Sequence, residues 1–261
     1  MITSTSSSQV KHVVNLQKKA KLRKEEKQFV VEGVKMVSEA PADRLVKVYV
    51  SETFKADNEE FLERMNYDSI GKDVLEIVTD NVFMRMADTQ TPQGIMAVVR
   101  MSDTDLEGIL SDKHNPLLLI IENLQDPGNL GTIVRMAEGA GVTGIIMSSN
   151  TVDIYNPKTT MGSLYRVPVI YVDDICEAAD VCKSKGVTVY AAHLKGTDNY
   201  NKKDYTNPTA FMIGNEGNGL TDKLADKADE YVRIPMQGEV ESLNAAIACT
   251  ILTYEAVRQR L

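Results

Sequence analysis

Three polar stretches of this sequence combine residue types that could hold a ligand and move a proton. The first, IENLQDPGNLGTIVRMAEGAGVTGII, starts as a buried strand, breaks at a Pro/Gly turn and continues as an apolar helix that carries Arg135. Such an arginine either reaches out to solvent or is held by a partner. Asn129 is predicted to be the N-cap of that helix, because Asn side chains accept hydrogen bonds from first-turn amides.

The other two stretches lie in the last fifty residues. In IGNEGNGL, Glu216 sits between glycines, where backbone amides could orient its carboxylate. In IPMQGEVESLNAAIACT, Ser242 is predicted to be an N-cap, and Asn244 follows two residues into a final helix that starts at Leu243. Each feature alone has a structural explanation, since glycines permit tight turns and polar residues cap helices. Their occurrence together in one part of the chain points to a binding or catalytic site.

The fingerprints of several common enzyme classes are missing from the sequence. GxGxxG, GxxxxGK[ST] and GxSxG do not occur, which argues against dinucleotide-binding, P-loop and serine-hydrolase sites. The three histidines, His12, His114 and His193, are scattered, and no HExxH occurs. The three cysteines form no CxxC pair, so neither a metal site nor a disulfide framework is predicted.

Two alternating patterns of helices and strands must position these stretches. Residues 1–101 predict a small α/β/α sandwich of about four strands, and the polar residues 102–115 predict a linker. Residues 116–261 contain six apolar, strand-like runs separated by helical segments, which is typical of a doubly wound α/β domain with a parallel sheet. Ligands of such sheets bind beyond the carboxyl ends of the strands, where the three stretches fall.

Composition and charge restrict the function further. The chain of 261 residues is 43% apolar and 25% charged, and no apolar run has the roughly 18 residues that a membrane helix needs. Residues 1–9 are rich in Ser and Thr with no apolar core, so we expect a frayed tail, no signal peptide and a cytoplasmic protein. The net charge of −8 argues against a general nucleic-acid coat.

One basic segment departs from the acidic average. Residues 9–35 hold eight basic and three acidic residues, within a predicted amphipathic helix followed by QFVVEG. The segment could contact RNA phosphates, or it could be only the solvated face of that helix.

The three stretches also carry a family resemblance. NLQDPGNLGTIVRMAEGAG, IGNEGNGL and IPMQGEVESLNAAIACTILTYEAVR resemble, in order and spacing, the three motifs of the TrmH/SpoU branch of the SPOUT RNA methyltransferases. VKHVVNLQKKAKLRKEEKQFVVEG resembles the N-terminal substrate-binding domain of many rRNA members. The resemblance implies a parallel-sheet SPOUT domain with a deep trefoil knot, preceded by a small α/β, L30e-like domain.

The same resemblance implies an enzyme that methylates a ribose 2′-hydroxyl of RNA with S-adenosylmethionine and works as a homodimer through its C-terminal domain. A separate N-terminal domain favours ribosomal RNA over transfer RNA as the substrate. A catalytically silent RNA-binding or ribosome-assembly protein of the same fold is an alternative. A nucleotide-binding oxidoreductase is another, and the missing GxGxxG counts against it.

The motif residues transfer to this sequence by position. The implied catalytic residues are Asn129, Arg135, Glu216, Ser242 and Asn244. The implied cofactor contacts are His193, Leu194, Gly214, Asn215, Gly217, Ile234, Met236 and Leu243. The predicted RNA phosphate contacts are Lys18, Lys19, Lys21, Arg23 and Lys24. As a permanent cation, Arg135 would hold a phosphate and stabilise a developing alkoxide, while Glu216, Ser242 or a water could take the proton.

Overall fold

The computed structural model describes residues 1–67, 71, 73–111, 115–157, 159, 162–194, 196 and 198–261. These residues form two units. The first unit consists of Met1–Met101 and Asp153–Tyr165, and the second consists of Ser102–Val152 and Arg166–Leu261. None of the helices in the described part of the chain is long and apolar enough to cross a membrane. His114, one of the histidines noted in the sequence, lies outside the described residues.

The first unit is built on a four-stranded sheet in the order β1-β4-β2-β3. Its strands are β1 (Gln28–Glu32), β2 (Leu45–Ser51), β3 (Leu75–Val78) and β4 (Ile95–Arg100). Strand β4 pairs antiparallel with β1 and β2, and β2 pairs parallel with β3. The helices are α1 (Ser8–Lys18), α2 (Ala20–Glu26), α3 (Val34–Ser38), α4 (Glu52–Asp57), α5 (Glu59–Met65) and α6 (Asp80–Met86). The apolar side of α1 is buried in one cluster with side chains of the sheet.

Two local expectations for the N-terminus are wrong. The tail is anchored and not frayed: the Ile2 N–H donates to the Ile77 carbonyl at 2.8 Å, and the Thr79 N–H donates to the Ile2 carbonyl at 3.1 Å. The basic segment forms two helices, because Lys19 between α1 and α2 has an extended backbone.

Residues 153–165 pack in the first unit, although the sequence places them in the middle of the second domain. Asp153 accepts two hydrogen bonds from the buried guanidinium of Arg23. The rings of Tyr155 and Phe29 pack with centroids 4.8 Å apart. The Tyr165 hydroxyl donates to the carbonyl of Met36 at 3.1 Å. The first unit is therefore completed by a segment that is distant in sequence.

The second unit is a seven-stranded sheet in the order β7-β6-β5-β10-β8-β11-β9, and every neighbouring pair is parallel. Its strands are β5 (Leu117–Ile121), β6 (Gly144–Ser148), β7 (Val169–Val172), β8 (Thr188–Ala192), β9 (Asp198–Asn199), β10 (Thr209–Ile213) and β11 (Glu230–Arg233). The predicted parallel α/β class is confirmed. Six strands match predicted runs, whereas β9, with two residues, is too short to produce a pattern in the sequence.

The helices of the second unit are α7 (Leu106–Leu110), α8 (Pro127–Gly139), α9 (Ile175–Ser184), α10 (Asp222–Ala225) and α11 (Ala245–Arg260). Helix α7 lies in the segment predicted as a linker, and its Ile109 is buried in the main core cluster with Leu118 and Ile146. Residues 102–111 thus belong to the packed second unit because their apolar side chains enter its core. Residues 112–114 of the predicted linker lie outside the described residues.

Candidate active site

A cavity of about 450 Å³ opens in the second unit beyond the carboxyl ends of three strands. It lies where β8 runs into His193, where β10 runs into Gly214 and where β11 runs into Ile234. This is the edge at which parallel sheets bind ligands. The cavity is lined by all eight residues expected to contact a cofactor: His193, Leu194, Gly214, Asn215, Gly217, Ile234, Met236 and Leu243.

The glycine loop, residues 214–220 after β10, forms one wall of the cavity and is closed by hydrogen bonds within it. Asn215 and Gly219 exchange two backbone hydrogen bonds, of 3.0 and 2.9 Å, and Gly219 has a φ of 69°. The backbone of Gly214 packs so closely on this turn that a Cβ there would lie 2.1 Å from the carbonyl carbon of Gly219. The side-chain oxygen of Asn215 accepts hydrogen bonds from the N–H groups of Gly217 and Asn218. Asn215 therefore shapes the loop.

Glu216 lines the cavity and joins this loop to the segment that precedes α8. Its carboxylate accepts hydrogen bonds from the N–H groups of Gln125 (3.1 Å) and Asp126 (2.9 Å) and from Asn129 Nδ2 (3.1 Å). Burial alone acts to raise the pKa of Glu216, but the hydrogen bonds from Asn129 and from the backbone amides outweigh it, so the pKa lies below its usual value. The carboxylate is ionised and is a weak base at neutral pH.

Asn129 connects Glu216 to the start of α11. Its side-chain oxygen accepts a 2.9 Å hydrogen bond from Asn244 Nδ2. The oxygen of Asn244 in turn accepts from the N–H groups of Ala246 and Ile247. Three of the five residues predicted to be catalytic thus form one hydrogen-bonded chain, from Glu216 through Asn129 to Asn244, which fixes the orientation of both amides.

The two predicted helix caps are wrong. Helix α8 starts at Pro127 and is capped by Asp126, whose side chain accepts from the Asn129 N–H at 2.7 Å. The signal for this cap is the Asp-Pro pair, since proline is favoured as the first helical residue. Helix α11 starts at Ala245, so its cap is Asn244. Ser242, predicted as the cap, is exposed and lines the cavity.

Arg135 is not among the residues that line the cavity. It is exposed on the outward face of α8, which it shares with Gly128, Thr132 and Gly139. Among the described residues, no hydrogen bond or ion pair of its guanidinium is found. Within a single chain, the structure therefore brings four of the five predicted catalytic residues together and leaves Arg135 apart from them.

The predicted RNA contacts divide into two groups. Four of the side chains are exposed on α1, on α2 or between them: Lys18, Lys19, Lys21 and Lys24. Arg23 is only 2% exposed. Its guanidinium is taken up by Asp153 and by the carbonyls of Leu16 and Gln17. A phosphate cannot reach it, so Arg23 is corrected to a structural residue. Its partner is far away in sequence, and no local signal reveals the pairing.

Two charged residues of the cavity wall were not anticipated. Arg233 and Glu241 both line the cavity. Arg233 is the last residue of β11, a position that the strand-end rule could have identified. Within the described part of the chain, no group of three His, Cys, Asp or Glu side chains is placed to bind a metal ion.

In comparisons with known proteins, each of the two parts of the chain matches a family model. Residues 116–254 match the model of the SpoU rRNA Methylase family. Residues 7–97 match the model of the MRM3-like substrate binding domain.

Individual relatives agree with these matches. The chain is 34% identical over 187 residues to the 23S rRNA (guanosine(2553)-2′-O)-methyltransferase RlmP of Bacillus subtilis, covering 68% of this chain and 70% of the relative. It is 32% identical to an uncharacterized tRNA/rRNA methyltransferase of Synechocystis, covering 99% of this chain and 94% of the relative. The AdoMet-bound rRNA methyltransferase from Sinorhizobium meliloti superposes with a TM-score of 0.84 at 28% identity, covering 100% of this chain and 98% of that one.

Proposed function

The chain belongs to the SpoU rRNA methylase family, and from this membership we propose that it methylates a ribose 2′-hydroxyl of ribosomal RNA with S-adenosylmethionine. The observation that carries the proposal is the cavity at the strand ends, which all eight expected cofactor contacts line. The proposed substrate rests on relatives named as 23S rRNA 2′-O-methyltransferases and on the match of residues 7–97 to a substrate-binding domain. Because that substrate is ribosomal RNA, we propose that the protein acts in the cytoplasm.

The residues of the cavity suit S-adenosylmethionine. The volume of the cavity is in the range of small-molecule sites, roughly 300 to 1,000 Å³. Ile234, Met236 and Leu243 offer apolar surface to an adenine ring, and the backbone of the glycine loop offers polar groups. When bound, S-adenosylmethionine supplies an activated methyl group, so the protein has to position the ribose and handle one proton.

Each motif residue has a proposed part in that task. The chain from Glu216 through Asn129 to Asn244 holds the glycine loop, α8 and α11 in register around the cavity. With its lowered pKa, Glu216 contributes a fixed negative charge and is a poor proton acceptor. Ser242, exposed at the cavity, is free to contact the incoming ribose. The Arg135 guanidinium would bind a phosphate and stabilise the developing alkoxide.

The position of Arg135 supports a homodimer formed through the C-terminal domain. Helices α8 and α11 pack against each other, and α11 exposes Ile247 (53%) and Tyr254 (46%). Exposed apolar side chains grouped in this way are typical of protein interfaces. We propose that a second subunit covers this face, so that Arg135 of one subunit acts at the cavity of its partner. We further propose that the C-terminal segment forms the trefoil knot that the family resemblance implies.

The test compares wild-type protein with Arg135→Ala. We expect calorimetry to show nearly unchanged binding of S-adenosylmethionine by the variant, while tritium transfer to RNA is abolished. Arg85 of α6 is also exposed, and among the described residues its guanidinium makes no hydrogen bond or ion pair, so Arg85→Ala is a matched control that should retain transfer. Transfer retained by Arg135→Ala removes that residue from the mechanism, and wild-type protein that binds no S-adenosylmethionine refutes the proposed activity.

Mapping ribose methylation across total RNA, from cells with and without this gene, tests the substrate. Loss at one nucleotide of ribosomal RNA supports the proposal. Loss in a transfer RNA supports the tRNA alternative, and no loss in any RNA supports a catalytically silent protein.

A further inference from the structure

Two neighbouring residues at the end of β5 hold both ends of the glycine loop. At one end, the Asn123 carbonyl accepts a 2.8 Å hydrogen bond from Asn215 Nδ2. At the other end, the Thr221 N–H donates to Glu122 Oε2 at 2.7 Å, and the Thr221 hydroxyl donates to Glu122 Oε1 at 2.8 Å. Residues 216–220 of the cavity wall lie between these two attachments.

The Glu122 carboxylate is well suited to hold the loop. Glu122 is 6% exposed, and burial of an ionised carboxylate is costly unless its oxygens accept hydrogen bonds. Each of its two oxygens receives a donor from Thr221, one from the backbone and one from the side chain. Movement of Thr221 would leave both oxygens without these donors, so the carboxylate resists displacement of the loop end.

The end of β5 is itself rigid. The Glu122 N–H donates to the Ile213 carbonyl at 2.9 Å, which extends the pairing of β5 with β10 by one residue. Asn123 has a left-handed backbone, with a φ of 54°, that few residues other than glycine adopt. Its N–H donates to Ser148 Oγ, and the Ser148 hydroxyl donates back to Asn123 Oδ1. The attachment points are thus fixed to the central strands of the sheet.

We propose that Glu122 and Thr221 are positioning residues for the methyl donor, and this inference rests on the proposed function. Neither residue lines the cavity. Their hydrogen bonds hold the glycine loop in the conformation that receives the cofactor. Weakening this clamp, defined as the Glu122–Thr221 pair, therefore lowers the fraction of protein that can bind the cofactor and raises the apparent dissociation constant.

The test replaces Thr221 in the full-length protein. Thr221→Val removes the hydroxyl and keeps the shape and the N–H, whereas Thr221→Ser keeps both donors. Loss of the hydrogen bond from the Thr221 hydroxyl to Glu122 removes part of the free energy that holds the loop. We therefore expect Thr221→Val to bind S-adenosylmethionine about tenfold more weakly. We expect the KM of this variant for S-adenosylmethionine to rise. Its kcat and its KM for RNA should change little. Thr221→Ser should remain within about twofold of wild type, because both hydrogen bonds to Glu122 are kept.

A matched control separates the clamp from general stability. The Thr221 hydroxyl also caps α10 by accepting from the Leu224 N–H, so Thr221→Val loses a helix cap as well. Asp105 caps α7 in the same unit by accepting from the Gly108 N–H. Asp105→Ala should lower the melting temperature and leave the affinity for S-adenosylmethionine unchanged.

Amide hydrogen exchange tests the clamp without any cofactor. We expect the amides of residues 215–219 to exchange faster in Thr221→Val and in Glu122→Gln than in wild type. Unchanged exchange in both variants, or wild-type affinity for S-adenosylmethionine in Thr221→Val, overturns the inference. Wild-type protein that binds no S-adenosylmethionine would instead refute the proposed function. The two failures are distinguishable, since the exchange measurement reports on the clamp without any cofactor.

Discussion

Substitution of Gly214 by alanine should remove cofactor binding through the backbone alone. The added Cβ would lie 2.1 Å from the carbonyl carbon of Gly219, 2.2 Å from the Leu220 nitrogen and 2.4 Å from the Gly219 oxygen. All three are backbone atoms of the turn that closes the glycine loop, so no side chain can rotate away. The loop has to move by an ångström or more at the wall of the cavity.

The magnitude follows from overpacking. Extra methyl groups in well-packed sites cost about 1 to 3 kcal/mol, and a backbone clash this short belongs at the upper end of that range. For a domain of this size, about 3 kcal/mol corresponds to a fall of roughly 6 to 12 °C in melting temperature. Because the displaced backbone forms the cavity wall, we also expect the affinity for S-adenosylmethionine to fall at least tenfold, about 1.4 kcal/mol.

Gly238→Ala is the matched control. It adds the same methyl group to another loop of the second unit, but no atom lies within 4 Å of its Cβ, and Gly238 does not line the cavity. Differential scanning calorimetry and titration with S-adenosylmethionine should show Gly238→Ala close to wild type and Gly214→Ala strongly impaired in both. A Gly214→Ala protein whose melting temperature stays within about 2 °C of wild type, and whose affinity for S-adenosylmethionine is unchanged, would refute the reasoning.

Three further predictions concern charged residues. Arg23→Met or Asp153→Asn alone should lower the free energy of unfolding of the first unit by about 3 to 5 kcal/mol in urea, because each leaves a buried partner unpaired. The double variant should lose less than the sum of the two single losses, and additive losses would show that the pair is uncoupled. The exposed lysines predicted to contact RNA are Lys18, Lys19, Lys21 and Lys24. Alanine at each of them should weaken RNA binding and make its salt dependence shallower by about one unit of slope, and an unchanged slope would place the phosphates elsewhere. Glu216 has a lowered pKa in the folded protein, so its ionised form stabilises the fold above pH 4.5, the pKa of the unfolded state. This contribution is lost as the pH falls through the lower pKa of the folded state. Below pH 4.5 the melting temperature of wild type should therefore fall more steeply than that of Glu216→Gln, and parallel curves would contradict this.

The parallel sheet and the position of the cavity could be predicted because both follow from local patterns. Apolar runs mark buried strands, and polar stretches after those runs mark the ligand edge. The exact start of a helix is less well determined: α8 starts two residues before Asn129 because Asp126 is its cap and Pro127 suits its first position. The asparagine then serves as a link between Glu216 and Asn244, a role that only the tertiary structure can reveal.

The fate of the basic segment could not be predicted for a different reason. Lys24 and Arg23 are adjacent and carry the same charge, yet Lys24 is exposed and Arg23 is buried. The difference depends on Asp153, which lies 130 residues further along the chain. A pattern within the segment contains no information about that partner. Sequence reasoning on charge therefore identifies a candidate surface and cannot say which of its residues face the solvent.

The inclusion of residues 153–165 in the first unit limits how this protein can be divided or recombined. The chain passes from one unit to the other after Met101, again after Val152 and once more after Tyr165. A fragment that stops at Met101 would expose the Phe29 ring and leave the Arg23 guanidinium without its carboxylate. A chimera that borrows the front of a relative must therefore also borrow the matching internal segment. The first unit is therefore encoded by two separate pieces of the gene, and exchange of either piece alone would leave mismatched packing at Phe29 and an unpaired charge at Arg23.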